Sequence, residues 1–149
     1  MLAGRIINVL LTLENFISRF YRGYRRRVIL RSLRIGSGCN ITHDLNVKYP
    51  ENVVIGANVN ISPGVTIGAF REVIIEDGVT LSQDVIIETA GLAKGSRSHV
   101  GRPIKIGKNV WIGSRSIVLS GVNIGENSVI GAGSIIRNNV AKNSVCKGN

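Results

Sequence analysis

Aromatic residues and histidine are scarce in this sequence of 149 residues. Tryptophan, tyrosine and phenylalanine together make up 5% of the chain, and the basic residues of positions 33–149 are not interleaved with them. We therefore expect no stacking surface for nucleic acid, although the formal net charge is +10. The two histidines, His43 and His99, are too few for a zinc site of three imidazoles, and we expect no metal.

Cysteine and long apolar runs are also limited. Cys39 and Cys146 are far apart and we expect no signal peptide before them, so we expect reduced thiols and a cytoplasmic location. The apolar stretch from Ile6 to Leu13 is much shorter than the about 20 residues that span a bilayer. A transmembrane helix is therefore not predicted from this stretch.

Residues 1–32 differ in composition from the rest of the sequence. Apolar residues recur there at helical spacing, and seven arginines against Glu14 alone give this segment +6 of the net charge. We predict a basic amphipathic helical segment. Two interpretations stay open: a helix packed against the following domain with a solvated arginine edge, or peripheral contact with the inner membrane face.

The sequence is rich in aliphatic residues that recur at every sixth position. Seven of these are isoleucines followed directly by glycine. The positions form an unbroken series and three earlier sets: Ile106, Ile112, Val118, Ile124, Ile130 and Ile136; Ile35, Ile41 and Val47; Ile55, Ile61 and Ile67; Ile75, Leu81 and Ile87. A helix needs apolar residues every three or four positions and an ordinary strand every two, so this period indicates a repeat architecture.

Each group of six describes a short strand and a turn, with a small inward residue four positions after the aliphatic one. Three groups close a triangular coil of 18 residues, and stacking at about 4.8 Å places Ile106 over Ile124. We predict an all-β parallel β-helix of about five such coils over residues 33–149, after the short N-terminal helical segment. Glycines such as Gly107 and Gly113 are expected at corners with positive φ.

Three stretches of the repeat region resemble the hexapeptide-repeat acyltransferases: Ile104-Lys-Ile-Gly-Lys-Asn-Val-Trp-Ile-Gly-Ser114, Gly121-Val-Asn-Ile-Gly125 and Ile130-Gly-Ala-Gly-Ser-Ile-Ile136. Within that group, residues 33–149 are most similar to the maltose, galactoside and polysaccharide O-acetyltransferases. The resemblance implies that the β-helix is left-handed, which periodicity alone does not supply. It also implies acetyl-CoA as co-substrate and a homotrimer with active sites between subunits.

The repeat has one long interruption, where the spacing between the third set and the unbroken series is 19 instead of six. A loop of about residues 88–103 therefore leaves the wall, and such an insertion is a candidate for function. It contains His99, whose imidazole can accept a hydroxyl proton near neutral pH and return it to a leaving thiolate. Glu88 is the favoured carboxylate for orienting this general base, ahead of Asp77 and Asp84.

Position 92 departs from the family pattern. In the sugar O-acetyltransferases the essential histidine usually follows the Thr-Gly-like end of a strand, and that register falls on Leu92 here. His99 is instead similar to a basic residue of the serine acetyltransferase loop, or to the histidine of polysaccharide acetyltransferases whose loop brings it back. His43, in the predicted first coil, is expected to be a surface residue.

The donor site carries over from the family by position. Ser114 follows Trp-Ile-Gly and Ala132 lies within Gly-Ala-Gly-Ser, and the resemblance implies that both contact coenzyme A. It implies the same for the pair after Ser-Ile-Ile, which is Arg137 and Asn138. Arg137 can engage phosphate with its planar fork of donors.

Trp111 lies between two inward positions, Val110 and Ile112, so its ring is predicted to face outward. There it could form a wall for the pantetheine or the acceptor, or a subunit contact. Together these features predict an acetyl-CoA-dependent O-acetyltransferase that acts on a sugar or glycan precursor by direct transfer. The alternative is a noncatalytic hexapeptide-repeat scaffold or inactive relative, which Leu92 favours.

Overall fold

The computed structural model of the protein describes residues 32–147 except Arg97. The predicted N-terminal helical segment, apart from Ser32, and the last two residues lie outside the described residues. No helix within the described part combines the length and hydropathy that a membrane span requires. Short parallel strands dominate instead, and they form the three faces of a prism.

Each coil of the prism contributes one strand to each face. The first face contains β1 (Arg34–Ile35), β4 (Val53–Ile55), β7 (Val73–Ile75), β12 (Ile104–Ile106) and β15 (Asn123–Ile124). The second contains β2 (Asn40–Ile41), β5 (Asn60–Ile61), β8 (Thr80–Leu81), β13 (Trp111–Ile112), β16 (Val129–Ile130) and β18 (Val145–Cys146). The third contains β3 (Asn46–Lys48), β6 (Thr66–Gly68), β9 (Ile86–Glu88), β14 (Ile117–Leu119) and β17 (Ile135–Ile136). Over the described residues these strands make five complete coils, and β18 belongs to a partial sixth.

The strand register confirms the predicted stacking. Ile106 pairs with Ile124 on the first face and Ile112 pairs with Ile130 on the second. On the third face Val118 pairs with Ile136. The parallel β-helix is therefore confirmed, while its left-handed sense stays a prediction from the family resemblance.

The interior of the prism consists of stacked aliphatic side chains. In β7, Val73 and Ile75 are fully buried, whereas Ile74 between them points to the outer side. The small inward residues at the corners are buried as well, with Val85 and Ser116 both at 0% exposure. Backbone groups pair with the coils above and below, so the interior needs no water or large aromatic ring.

The prediction of positive φ at the glycines after the aliphatic positions is wrong. Positive φ falls two residues later, for example at Asn109 (φ 55°) and Arg115 (φ 59°). A Cβ on Gly107 would lie 2.7 Å from the backbone nitrogen of Glu126, and one on Gly113 would lie 2.5 Å from that of Ala132. These positions require glycine because the next coil passes directly over them.

The insertion at residues 88–103 is a hairpin and not an irregular loop. Its strands are β10 (Ala90–Leu92) and β11 (His99–Gly101), which pair antiparallel. Glu88 still belongs to the wall strand β9, where it pairs with Leu119 of the next coil. The hairpin leaves the prism at the edge where the third face turns into the first face of the following coil.

Candidate active site

Three rings lie side by side along this third-to-first edge. The ring centroids of Tyr49 and Phe70 are 6.2 Å apart in an edge-to-face arrangement, and those of Phe70 and His99 are 6.1 Å apart with a tilt of 46°. Tyr49 follows β3, Phe70 follows β6, and His99 belongs to the hairpin after β9. We call Tyr49, Phe70 and His99 the aromatic edge.

Buried hydrogen bonds hold the corner that carries Phe70. The hydroxyl of Thr89, fully buried, accepts a hydrogen bond from the backbone N–H of Arg71 at 2.9 Å and donates one to the carbonyl of Gly68 at 2.9 Å. The hairpin approaches this corner through Gly101, where a Cβ would clash first with the carbonyl oxygen of Thr89 and would also lie 3.0 Å from Cδ1 of Phe70. The absence of a side chain at Gly101 therefore lets the hairpin pack against the corner that carries Phe70.

The hairpin register brings together positions 92 and 99, the two alternatives for the place of the catalytic histidine. His99 pairs directly with Leu92, the position at which the family pattern expects its histidine. Both side chains are exposed, Leu92 to 65%. Since residues facing each other in an antiparallel pair have Cβ atoms about 4.5–5.5 Å apart, His99 lies beside the expected location although it is seven residues later in the sequence.

Glu88 lies near the base of the hairpin, but its carboxylate has a backbone partner. Its Oε1 accepts a hydrogen bond from the N–H of Ala90 at 2.9 Å. Among the described residues no hydrogen bond joins Glu88 to His99. Orientation of the imidazole by Glu88 therefore stays a prediction.

The other two candidate carboxylates are engaged at other corners of the prism. Asp84 lies 3.7 Å from Nε of Arg115. Asp77 accepts a hydrogen bond from the N–H of Ala57 at 2.9 Å and lies 3.5 Å from Nζ of Lys108. The hydrogen bond from Ala57 holds the pKa of Asp77 below its usual value, with a smaller contribution from Lys108.

Two of the residues predicted to contact coenzyme A, Ser114 and Ala132, line one groove at the corner between the second and third faces. Gln83, Asp84 and Arg115 form other parts of its wall. Arg137 and Asn138 are placed elsewhere, directly after β17 at the third-to-first edge, in a pocket at the C-terminal end of the prism that Val140 and Cys146 also line. The residues predicted to contact coenzyme A are thus divided between two corners, and His99 shares its edge with Arg137 and Asn138.

Trp111 faces outward as predicted, with 54% of its surface exposed between the buried Val110 and Ile112. Its indole Nε1–H donates a hydrogen bond to the hydroxyl of Ser82 at 2.9 Å. This bond holds the ring against the coil below and leaves much of it open to a ligand or a neighbouring subunit. His43 is exposed at a corner of the first coil, away from the hairpin.

Sequence reasoning missed Tyr49, Phe70 and Arg71 as neighbours of His99. The sequence did contain a signal, because the six-residue spacing widens to eight between Val47 and Ile55 and again between positions 67 and 75. These two small insertions fall at the same edge as the hairpin. Stacked deviations from the repeat would have identified this edge as one continuous surface.

The sequence matches known proteins over its repeat region. Residues 103–138 match the family described as the hexapeptide repeat of succinyl-transferase. The bifunctional protein GlmU of Ruthia magnifica subsp. Calyptogena magnifica is 39% identical over 79 residues, which are 53% of this chain. This chain spans only 15% of the length of that curated relative.

Two solved structures share the fold of most of the chain. The maltose O-acetyltransferase from Clostridium difficile 630 superposes with a TM-score of 0.78 at 30% identity, covering 84% of this chain and 70% of that one. A galactoside acetyltransferase in complex with coenzyme A superposes with a TM-score of 0.74 at 33% identity, covering 77% of this chain and 60% of that one. The likeness in fold therefore extends over most of this chain.

Proposed function

Because this chain belongs to the hexapeptide-repeat acyltransferase family, we propose that it is an O-acetyltransferase that uses acetyl-CoA to acetylate a sugar or glycan precursor. The names of two similar structures support this proposal, since one is a maltose O-acetyltransferase and the other a galactoside acetyltransferase. The latter is a complex with coenzyme A. Acetyl-CoA is accordingly the co-substrate that we assign to this chain.

The observation that carries the proposal is the position of His99. The hairpin holds its imidazole next to Leu92 and against Phe70, on an exposed edge. Among residues 32–147, Arg97 excepted, no hydrogen bond occupies the ring nitrogens of His99. The imidazole is thus accessible to a substrate, as a general base must be.

In the reaction that we propose, His99 removes the proton from the acceptor hydroxyl. The oxygen attacks the carbonyl carbon of the thioester, and backbone N–H groups of the corners stabilise the tetrahedral oxyanion. The carbon–sulfur bond then breaks, and the imidazolium returns its proton to the thiolate. The products are an acetyl ester of the acceptor and free coenzyme A, with no acetyl-enzyme intermediate.

The predicted coenzyme A contacts are divided between two corners, and this division supports a homotrimer with active sites between subunits. Ser114 and Ala132 lie at one end of the third face, whereas His99 and Arg137 lie at the other. A single chain cannot bring both corners together, because the third face separates them. In a closed ring of subunits, one corner can meet the opposite corner of its neighbour.

The outer surface of the third face is suited to such a ring. Ile86, Ile117 and Ile135 follow each other in register along it, and Ile86 and Ile135 are 38% and 47% exposed. We therefore place this face toward the threefold axis. The thioester would then lie in the cleft between the groove of Ser114 and the edge of His99 in the next subunit.

Release of free thiol from acetyl-CoA, measured with a pool of neutral and charged sugars, tests the proposal. The wild-type protein should release thiol only when a sugar is present, and His99→Ala should lower the rate by about 10²–10⁴-fold. His43→Ala is the matched control and should retain wild-type activity, since His43 lies in the first coil. Wild-type turnover in His99→Ala would exclude the role of His99.

The second candidate function is a noncatalytic scaffold, and two observations favour it. Leu92 occupies the family's histidine register, and Glu88 bonds Ala90 instead of His99. A scaffold would show no sugar-dependent thiol release from any acceptor while still forming trimers. Thiol release above background with a single sugar would exclude it.

For the location in the cell we propose the cytoplasm, with residues 1–32 either packed on the prism or in contact with the inner membrane face. Sedimentation of the full chain with anionic vesicles distinguishes these two arrangements. Salt-sensitive binding to anionic but not neutral vesicles would support membrane contact. Equal recovery in the supernatant with both would support the packed arrangement.

A further inference from the structure

Tyr49 has a backbone conformation that a bulky residue rarely adopts. Its φ and ψ are both 59°, in the left-handed region, and the 3₁₀ turn Pro50–Asn52 follows directly. Such a conformation is unfavourable for a bulky residue and persists where the surroundings enforce it, often at functional sites. Here it turns a half-exposed ring toward Phe70, two ring contacts away from His99.

The aromatic edge offers the kind of surface that binds a sugar ring. The C–H faces of a pyranose are apolar, and the face of an aromatic ring carries the negative part of its quadrupole. Tyr49 is 50% exposed, so its ring is open to a ligand while Phe70 connects it to the imidazole. A sugar that lies on Tyr49 and Phe70 would present its hydroxyl groups to His99.

Arg71 adds a positive charge to this surface. Its Cζ lies 4.9 Å from the centroid of the Phe70 ring, within the range of a cation–π contact, and the side chain is exposed. Glu51 and Glu72 are near in sequence or register, yet no ion pair joins either to Arg71 among the described residues. The guanidinium fork therefore remains available to a ligand, and it matches carboxylate and phosphate groups.

We propose that the aromatic edge binds the acceptor as an anionic sugar, with the ring on Tyr49 and Phe70 and the carboxylate or phosphate group on Arg71. This inference deepens the proposed function and rests on it for the role of His99. A carboxylated sugar and a sugar phosphate share the chemistry that Arg71 recognises. Testing one carboxylated sugar and one sugar phosphate as acceptors shows which of the two anionic groups is preferred.

The test compares galactose, galacturonate and galactose 1-phosphate, both as ligands and as acceptors. Binding is measured by isothermal titration calorimetry in the presence of coenzyme A, and transfer by thiol release. We expect at least one anionic sugar to bind about tenfold or more tightly than galactose. Arg71→Gln should abolish that preference without changing the affinity for coenzyme A, and Arg71→Lys should retain part of it.

Two further variants distinguish binding at the aromatic edge from general effects of charge. Tyr49→Leu should weaken all three sugars by a similar factor, because it removes stacking and not charge. Arg34→Gln is the charge-matched control, since Arg34 is exposed on the first face of the first coil, and it should change nothing. Thermal unfolding of each variant reports whether the fold is retained.

Each outcome bears on one proposal. Equal binding of galactose and both anionic sugars, or an anionic preference that survives in Arg71→Gln, would overturn the inference. Arg71-dependent binding without any thiol release would support the binding of an anionic sugar at the aromatic edge and overturn the transferase proposal. Turnover of galactose with no preference for an anionic sugar would support the transferase proposal and overturn the anionic-sugar inference.

Discussion

The first three coils and the coils after the hairpin differ in where they place polar and apolar side chains. In the second and third coils these inward corner residues are valine, and in the first coil they are Cys39 and Leu45, whereas in the later coils many are serine: Val59, Val65, Val79 and Val85 compared with Ser116, Ser128 and Ser134. On the outer side of the second face the order is reversed. Asn40, Asn60 and Thr80 precede Trp111, Val129 and Val145 in register there.

The serines show that an inward corner requires small size and satisfied hydrogen bonds, and not apolarity as such. The hydroxyl of Ser116 donates to the carbonyl of Gly131 at 3.0 Å, and that of Ser128 donates to the carbonyl of Ala141 at 2.8 Å. A buried hydroxyl costs little when it is paired in this way. The interior therefore tolerates either residue type.

The outward apolar residues gather around one corner and do not cover the later coils as a whole. On the first face the order is opposite, with Val54 and Ile74 before Lys105 and Asn123. Only the second and third faces, which flank the groove of Ser114 and Ala132, become apolar toward the C-terminal end. This difference between the halves points to a surface that is covered in the assembled protein.

The largest expected effect comes from placing a charge on the apolar row of the third face. Ile135→Glu should dissociate the trimer and lower transferase activity by at least about 100-fold, because a buried unpaired carboxylate costs several kcal/mol. Analytical ultracentrifugation and thiol release measure the two effects. Thr66→Glu, in the same row but in the second coil, is the matched control and should remain trimeric.

A trimeric, active Ile135→Glu protein would contradict the assignment of this face to the threefold axis. Dissociation by both substitutions would also contradict the comparison, since the interface would then extend over the polar coils.

An inward substitution should act on stability and not on assembly. Leu81→Ala removes a fully buried side chain between two other coils and should lower the free energy of unfolding by about 2–5 kcal/mol. Urea unfolding measures this loss. Thr80→Ala, at the neighbouring outward position, should change it by less than about 0.5 kcal/mol.

Loss of an inward hydroxyl should have a smaller effect. Ser116 also accepts a hydrogen bond from the N–H of Ser134 at 3.3 Å, so Ser116→Ala leaves buried polar groups without this partner. We expect a loss of about 1–3 kcal/mol in urea unfolding. An unchanged unfolding midpoint would show that the later coils do not depend on these hydrogen bonds.

The smallest effect concerns Asp77, which links the second coil to the fourth through Ala57 and Lys108. Its pKa in the folded protein lies below the ordinary value of 3.8, so its stabilising contribution is present above that pH. The contribution is lost as the pH falls through the lowered pKa. Asp77→Asn should therefore unfold more easily at pH 6, and the difference from wild type should shrink on acidification.

A difference between wild type and Asp77→Asn that grows as the pH falls would contradict the direction of this pKa shift.

Much of the fold could be predicted from the sequence because one period governs it. Ile112 and Ile130 pair as expected, and Trp111 faces outward, since each six-residue unit repeats the same strand and turn. The role of the glycines could not be read from single units. It depends on the distance between coils, which places the backbone of Ala132 over Gly113.

The candidate site was less predictable because it forms where the period fails. The long insertion identified His99, but the pairing of His99 with Leu92 depends on the hairpin register. Tyr49 and Phe70 are 21 residues apart in the sequence and meet only through stacking of successive corners. The division of Ser114 and Arg137 between two corners likewise follows from the path of the coil.

The most direct test of the account is a crystal structure of the full chain with coenzyme A bound. We predict a trimer in which the thiol sulfur lies in the cleft between the Ser114 groove of one subunit and the hairpin of the next. A ring nitrogen of His99 should then be within hydrogen-bond reach of the sulfur or of a single bridging water. A bound cofactor whose sulfur is remote from every His99 imidazole would contradict the account.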